Sequence, residues 1–498
     1  MAEQDIRVIK IILMAKLDGL DLPAKFLLIR TIWRYGDSLV DAKLDQLQAE
    51  VGLSRTNIID ARNTLLSARG GTAGDSGYIV ERYVPGRAAA GMGRIKGRPR
   101  RGFQLSPHFN NWVAEKGPGC VPDLRLHDPI IRLLLLESAG QPGAVSSGVQ
   151  GEAPDRSGAG GRLLLENRVL LALLWALADE HCAVRNMGAT SLARMAGMTR
   201  DQFNSQLKKL MRLGYVRARI GGVSGSRLFG KSEGAIFLDP LHPDLRCTHE
   251  SRSMQWIVMA SDEGVVGAIN GSFRAADSIQ RMARSQERRR EQIKEAAVGH
   301  GGVSANKERW QVGEQQLKER IWAFEWQGIH IAMQVTHDAS KAMTPSSAAS
   351  SEPLHLYQSF TNANPRERSY AHLVICRYAT ELLHRSAKET LNGEEVNGEV
   401  LGALQQEVCP RSKEKNQAWS MALAGWFYHW SRALAAEALR RLAHQLDVCP
   451  EKLAGEGRLL LIPIAGQEAI DILVDVPLSL EKIDALPVIG AALASKSD

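Results

Sequence analysis

Apolar side chains recur at helical spacing in the first part of the chain, where Phe26, Ile29 and Trp33 follow Pro23. A tight turn at Gly52 comes before Ser54, a residue type that favours the start of a helix. The predicted elements, in order, are a helix beginning near Pro23, helices at 42–51 and 54–68, and strands at 77–84 and 102–106. Helix, helix, turn, helix and a two-stranded hairpin is the order of a winged helix-turn-helix.

The same order recurs in residues 162–250. Here Gly197 and Met198 form the turn, Thr199 is the helix start, and Phe203, Leu207 and Leu210 mark the buried side of the third helix. The remaining predictions are helices around 170–177 and 192–196, a strand at 215–220, a loop at 221–234 and a return strand at 235–239. Since one plan occurs twice, we predict two winged-helix domains.

The rest of the chain is predicted to be mainly helical. The aromatic residues between Trp419 and Trp430 indicate a core or a dimer interface, and two apolar runs within 457–476 indicate strands. The fold class is therefore α+β, mainly helical, with two winged helix-turn-helix domains followed by a helical C-terminal region with a small strand-containing end. The predicted divisions are domains at 1–137 and 162–250, flexible linkers at 138–161 and 336–353, a basic helical connector at 251–306, a helical segment at 307–335 and a C-terminal domain at 354–498.

Composition narrows the class of protein. Hydrophobic residues make up 44% and charged residues 23% of the 498 residues, as in ordinary globular proteins. We expect a cytoplasmic, nucleoid-associated protein, because the sequence shows neither a membrane-spanning run nor a secretory signal. The six cysteines are far apart and the sequence contains no recognisable catalytic or metal motif, so we expect no cofactor, no metal and no enzyme activity.

Charge is distributed unevenly along the chain. Residues 1–120 contain 18 Lys and Arg against 12 Asp and Glu, and residues 161–250 contain 13 against 8. Residues 301–498 are mildly acidic, with 20 basic against 24 acidic side chains. A basic N-terminal half favours a polyanionic partner.

In a helix-turn-helix the third helix enters the major groove of DNA. In the second copy, its side opposite the apolar residues is polar and basic, where Asn and Arg read base edges and Lys and Ser anchor phosphates. The candidate DNA contacts on this helix are Arg200, Asn204, Ser205, Lys208, Lys209 and Arg212. The alternative is a winged helix that contacts protein and leaves this face in solvent.

The first copy has a less basic third helix and a more basic wing. Its helix contributes the candidates Arg55, Thr56, Asn57 and Asn63. The wing from Arg82 to Arg101 has seven basic residues and no acid, and its segment 96–101, KGRPRR, resembles an AT-hook core that lies in the minor groove. The wing candidates are Arg94, Lys96, Arg98, Arg100 and Arg101.

One motif supports a different class of function. Residues 225–232, GSRLFGKS, fit the P-loop pattern of nucleotide hydrolases, in which Lys231 would contact the phosphates. A P-loop requires a helix directly after it, whereas the following residues predict a strand. We therefore interpret this segment as the second wing, with Arg227 and Lys231 as phosphate contacts.

The segment 192–220, LARMAGMTRDQFNSQLKKLMRLGYVRARI, resembles the reading helix and first wing strand of bacterial winged-helix proteins. Two such units in one chain are similar to the replication initiators of plasmids and to replication proteins of integrative elements and pathogenicity islands. The resemblance implies a sequence-specific protein that binds double-stranded DNA, acts in replication of a mobile element and recruits host replication proteins through its C-terminal region, with a homodimer as a further expectation. The alternatives are a transcription regulator of the element, a P-loop nucleotide hydrolase and a protein-binding structural hub.

Overall fold

The computed structural model is mainly helical with small antiparallel sheets, as the sequence predicts. The chain divides into two units: the first comprises 1–217 and 236–247, and the second comprises 218–235 and 248–498. The structure describes residues 3–17, 19–36, 38, 40, 43–69, 77–84, 100–116, 130, 133–134, 163–179, 181–226, 228–243, 245, 252–259, 264–298, 303–339, 355–385, 396–408, 417–446, 458–464 and 469–477. The predicted linker at 138–161 lies outside these residues, as does most of the one at 336–353.

The first unit contains the described helices of both sequence copies. Its elements are α1 Glu3–Met14, α2 Leu22–Tyr35, α3 Leu44–Val51, α4 Arg55–Ser67, β1 Ile79–Val84, β2 Arg100–Leu105, α5 Pro107–Lys116, α6 Leu165–Leu177, β3 Ala183–Arg185, α7 Ala189–Ala196, α8 Arg200–Arg212, β4 Val216–Ile220 and β7 Ala235–Leu238. β1 and β2 form an antiparallel hairpin in which Ile79 pairs with Leu105, and β3, β7 and β4 form a sheet in that order. The boundary between the units falls within two of these strands, because residues 218–220 of β4 and Ala235 of β7 belong to the second unit.

One hydrophobic core serves both copies. Side chains of α1, α2 and α4 share it with those of α6, α7 and α8, and Phe26, Trp175 and Phe203 are all fully buried there. Burying apolar area is the main driving force for packing, so the two copies stabilise each other. Helix α6 fits this central place because nearly every residue from Val169 to Ala176 is buried, whereas most helices have only one apolar face.

The second unit contains the long helices and two sheets. Its elements are β5 Val223–Ser226, β6 Gly230–Ser232, β8 Arg252–Met259, α9 Gly264–Val298, α10 Val303–Ala339, α11 Tyr357–Phe360, α12 Pro365–Arg385, α13 Gly398–Val408, α14 Gln417–Leu446, β9 Arg458–Ile464 and β10 Ala469–Pro477. β10 lies between β8 and β9 and pairs with both in antiparallel register. The predicted strands near the C-terminal end are confirmed.

The sequence prediction of a helical connector over 251–306 is wrong for its first part, which is strand β8. Ile257 of β8 pairs with Ile472 of β10, more than 200 residues further along the chain. Strand propensity depends strongly on context, and the pairing of this segment with β10 is decided by the tertiary fold.

The aromatic cluster of α14 forms the core of the second unit. Trp426 is fully buried and packs against Phe360 with ring centroids 4.3 Å apart, and Phe427 is buried beside it. Phe273 of α9 and Phe324 of α10 also contact the Trp426 ring, at 6.5 and 6.3 Å between centroids. This cluster is therefore a core, the first of the two interpretations that the sequence allowed.

Candidate nucleic-acid interface

Helix α8 begins at Arg200, directly after the predicted start residue Thr199, because side chains of the first turn form hydrogen bonds with its backbone amides. The Thr199 hydroxyl accepts a hydrogen bond from the Gln202 amide at 3.2 Å, and the Gln202 side chain accepts one from the Thr199 amide at 2.9 Å. This capping box fills N–H groups that a helix start leaves without partners. It fixes the direction in which α8 leaves the turn.

The turn before α8 is held by a glycine that no other residue replaces easily. Gly197 has φ +69°, in the left-handed region, and a Cβ there would lie 3.0 Å from the amide nitrogen of Leu22. Glycine is favoured at such positions because it has no side chain to clash. The close approach fixes the turn between α7 and α8 against the start of α2.

The buried and exposed sides of α8 are those the sequence predicts. Phe203, Leu207 and Leu210 are fully buried. The candidate contacts are distributed as follows: Arg200, Ser205, Lys208 and Arg212 are exposed, whereas Asn204 and Lys209 are half-buried. Lys208, Lys209 and Arg212 lie on one side of α8, with Arg200 at its start, and they give a positive surface that suits phosphate.

Two charged residues near this face escaped the sequence prediction. Arg194 is exposed in the last turn of α7, just before the turn, and adds a further cation. Asp201 is exposed in the first turn of α8, where its carboxylate is favoured by the positive end of the helix dipole. The sequence contains this information, because at 100° per residue Asp201 falls on the same side of α8 as Arg212. The face is therefore basic but not purely so.

The first copy presents a polar rather than a basic helix. The Ser54 hydroxyl accepts a hydrogen bond from the Asn57 amide at 3.2 Å, so the predicted helix start is confirmed. The predicted contacts on α4, namely Arg55, Thr56, Asn57 and Asn63, are all exposed. Asp60 is exposed as well, which reduces the attraction of this face for phosphate.

Arg62 lies on the apolar side of α4, and the structure explains its place. Its guanidinium is paired with the Glu81 carboxylate of β1 at 2.5 Å and lies 5.7 Å from the centre of the Phe103 ring of β2. The side chain therefore joins the helix to the hairpin behind it.

The basic wing of the first copy is described only at its base. Arg94, Lys96 and Arg98 lie outside the described residues. Arg100 and Arg101 form the first residues of β2, where they pair with Val84 and Tyr83 of β1. The hairpin at the base of the predicted wing is therefore present, and residues 85–99 lie outside the described residues.

The predicted second wing is a short hairpin rather than a loop. Residues 221–234 contain β5 and β6, which pair between Val223 and Ser232. Phe229 at its tip is fully buried and lies 4.8 Å from the Tyr370 ring and 5.7 Å from the Phe427 ring, between centroids. Phe229 belongs to the second unit, and it therefore packs within the aromatic core of its own unit. Lys231 is exposed on β6, and Arg227 lies outside the described residues.

The P-loop pattern is not accompanied by P-loop geometry. Gly230–Ser232 is strand β6 and is followed by strand β7, so no helix start follows Lys231. A P-loop holds phosphate with the free amides of a helix N-terminus, which this hairpin does not offer.

No group of three or more side chains among the described residues is arranged to hold a metal ion. None of the described helices is long and apolar enough to cross a membrane. Comparison of the chain with family models, with curated proteins and with solved structures finds no match.

Proposed function

We propose that this protein binds double-stranded DNA through two winged helix-turn-helix modules, with α8 as the main reading helix. The observation that supports this most is α8 itself: a capped helix that follows a tight glycine turn, with its apolar side buried and a basic side exposed. When such a helix lies in the major groove, exposed Arg, Asn and Lys side chains contact base edges and phosphates.

The division of labour follows from the charges. Lys208 and Arg212 lie toward the end of α8 and suit phosphates, whereas Arg200 and Asn204 near its start suit base edges. Helix α4 is a weaker reader because its exposed side is polar and includes Asp60. The first copy would then bind DNA more through its basic hairpin than through α4.

Within this proposal the protein acts in replication of a mobile element. The support is the resemblance of residues 192–220 to the reading helix of replication initiators, together with a second, mainly helical unit that leaves room for contacts with host proteins. The hairpin geometry at Gly230–Ser232 favours binding rather than nucleotide hydrolysis.

The test begins with the DNA that co-purifies with the protein from its host at physiological salt. Sequencing should find one cluster of repeats beside a replication origin, and a duplex of that sequence becomes the probe. Enrichment at promoters would instead favour a transcription regulator, and no enrichment would favour a protein-binding hub.

A matched pair of triple variants then tests α8. Arg200→Ala, Lys208→Ala and Arg212→Ala together should weaken duplex binding and lower the slope of log K against log salt by up to about 1.8, at about 0.9 for each of the two phosphate contacts that Lys208 and Arg212 would make. The control replaces three exposed cations of other helices or turns, Lys16, Arg34 and Lys116, and makes the same change of charge. Equal losses in both variants would reject α8 as the interface.

A further inference from the structure

A polar groove runs between the antiparallel partners α9 and α10 of the second unit, with a cavity of about 770 Å³. That volume lies within the range of small-molecule sites, about 300–1,000 Å³. Three guanidinium groups line it: Arg281 and Arg289 from α9 and Arg309 from α10. Arg281 and Arg289 are eight residues apart and thus lie on one side of α9.

These three cations are exposed, and within the described part of the chain none of them forms an ion pair. A cluster of unpaired arginines on a surface is ordinarily solvated, so it does not by itself define a site. Guanidinium groups that converge on one groove do, however, match the geometry and charge of phosphate oxygens.

Gln286 provides the second, independent observation. Its side chain is 8% exposed, lines the same groove, and its Oε1 has no hydrogen-bond donor within the described structure. A buried amide oxygen without a donor costs free energy. A ligand or a water molecule that donates a hydrogen bond to this oxygen removes that cost.

Gly313 of α10 makes room for this amide. A Cβ at Gly313 would overlap the Nε2 of Gln286, so an alanine there would displace the amide from its present position. The close helix contact thus presents the Gln286 amide instead of filling the space with a methyl group.

We propose that this groove binds a nucleotide: a ligand with phosphates for Arg281, Arg289 and Arg309 and a hydroxyl or amine donor for Gln286. Glu308 also lines the groove, where its carboxylate would repel a bare phosphate but would accept a hydrogen bond from a ribose or a base. Met282 and Val312 line the groove as well and offer an apolar surface to a base or sugar. Phosphate, donor and apolar contacts are combined in nucleotides, either free or within a single strand.

The test uses the full chain and three probes: ADP, inorganic pyrophosphate and a single strand of ten deoxyadenosines, measured by isothermal titration calorimetry. We expect saturable binding of ADP at about 1 mM or below, and weaker binding of pyrophosphate, which has no sugar or base to contact Gln286, Met282 and Val312. Tighter binding of the single strand than of ADP would identify the source as a nucleic acid strand. Absence of saturable binding for both ADP and the strand would overturn the proposal.

Matched variants separate the groove from general charge. Arg281→Ala with Arg289→Ala should weaken ADP binding about tenfold, since each arginine would contribute a charge-assisted hydrogen bond to phosphate that solvent partly screens. The control, Arg288→Ala with Arg290→Ala, removes two exposed cations of the same helix that do not line the groove. An equal loss in the control would show general attraction only and would reject the site.

Two further variants test the amide. Gln286→Leu and, independently, Gly313→Ala should reduce the difference between ADP and pyrophosphate, the first by removing the acceptor and the second by displacing it. Circular dichroism verifies that each variant keeps its helix content. An unchanged difference in both folded variants would exclude Gln286 from binding. The site is independent of the duplex-binding proposal, because the α9 variants should leave duplex binding through α8 unaltered.

Discussion

Lys25 carries a buried positive charge in the core of the first unit, and its ionisation should control the stability of that unit. The side chain is 2% exposed, and its Nζ donates to the carbonyl oxygens of Leu13 at 2.8 Å, Ala15 at 3.1 Å and Met195. One ammonium group thus joins α2 to the end of α1 and to the last turn of α7. Burial lowers the pKa of Lys25 from 10.5 to about 7.

The direction of the pH effect follows from that lowered pKa. Between pH 7 and pH 10.5 the unfolded chain keeps a proton at Lys25 that the folded chain has lost, so the free energy of unfolding rises with pH. Below pH 7 both states are protonated and the full cost of burying the charge remains, about 5 kcal/mol at about 1.4 kcal/mol for each unit of pKa. From pH 7 to pH 10 the gain is about 4 kcal/mol.

The assay compares the native chain with Lys25→Met by urea unfolding at several pH values from 7 to 10. A brief deuterium pulse, read by mass spectrometry on the peptide that contains α6, reports the first unit alone. Other titrating groups cancel in the difference between the two proteins. We expect the native chain to gain about 4 kcal/mol relative to the variant over this range.

Lys16→Met is the control, because Lys16 is exposed in the same unit. The pH dependence of Lys25→Met is compared with that of Lys16→Met, which also loses one lysine. An equal pH dependence of the two variants would refute the reasoning, since it would mean that burial does not change the protonation of Lys25.

Three further predictions concern a helix cap, a core and a thiol. Replacing Thr199 with Ala removes the capping box of α8 and should lower stability by about 1 kcal/mol, measured by urea unfolding of the first unit. Trp426→Ala should lower the stability of the second unit by about 3–5 kcal/mol, whereas Trp322→Ala, at a residue 60% exposed, should cost much less, as thermal unfolding will show. Burial raises the pKa of the Cys376 thiol, so at pH 8 iodoacetamide should modify the half-buried Cys182 first and Cys376 only after unfolding.

The sequence alone determined the local elements that have their own signals. Thr199 and Ser54 start helices because their hydroxyls cap backbone amides, and Phe203, Leu207 and Leu210 turn inward because they repeat at helical spacing. These features involve residues a few positions apart, so a single sequence contains all of the information. The candidate contacts on α8 followed from the same periodicity.

Tertiary structure decided whatever depends on partners distant in the chain. The sequence shows two similar copies, but only the fold shows that they share one core around α6. It also places Phe229 among the aromatic residues of the second unit and pairs β8 with β10. Such contacts depend on which surfaces meet, and local pattern does not encode that meeting.

The same reason separates the predicted candidate sites from the missed one. The basic face of α8 lies on one helix and is readable from spacing, whereas the groove combines Arg281 and Gln286 of α9 with Arg309 and Gly313 of α10. In the sequence the arginines of α9 resemble a solvated charge run. Only the pairing of the two helices buries Gln286 beside a glycine and directs the cations to one cavity.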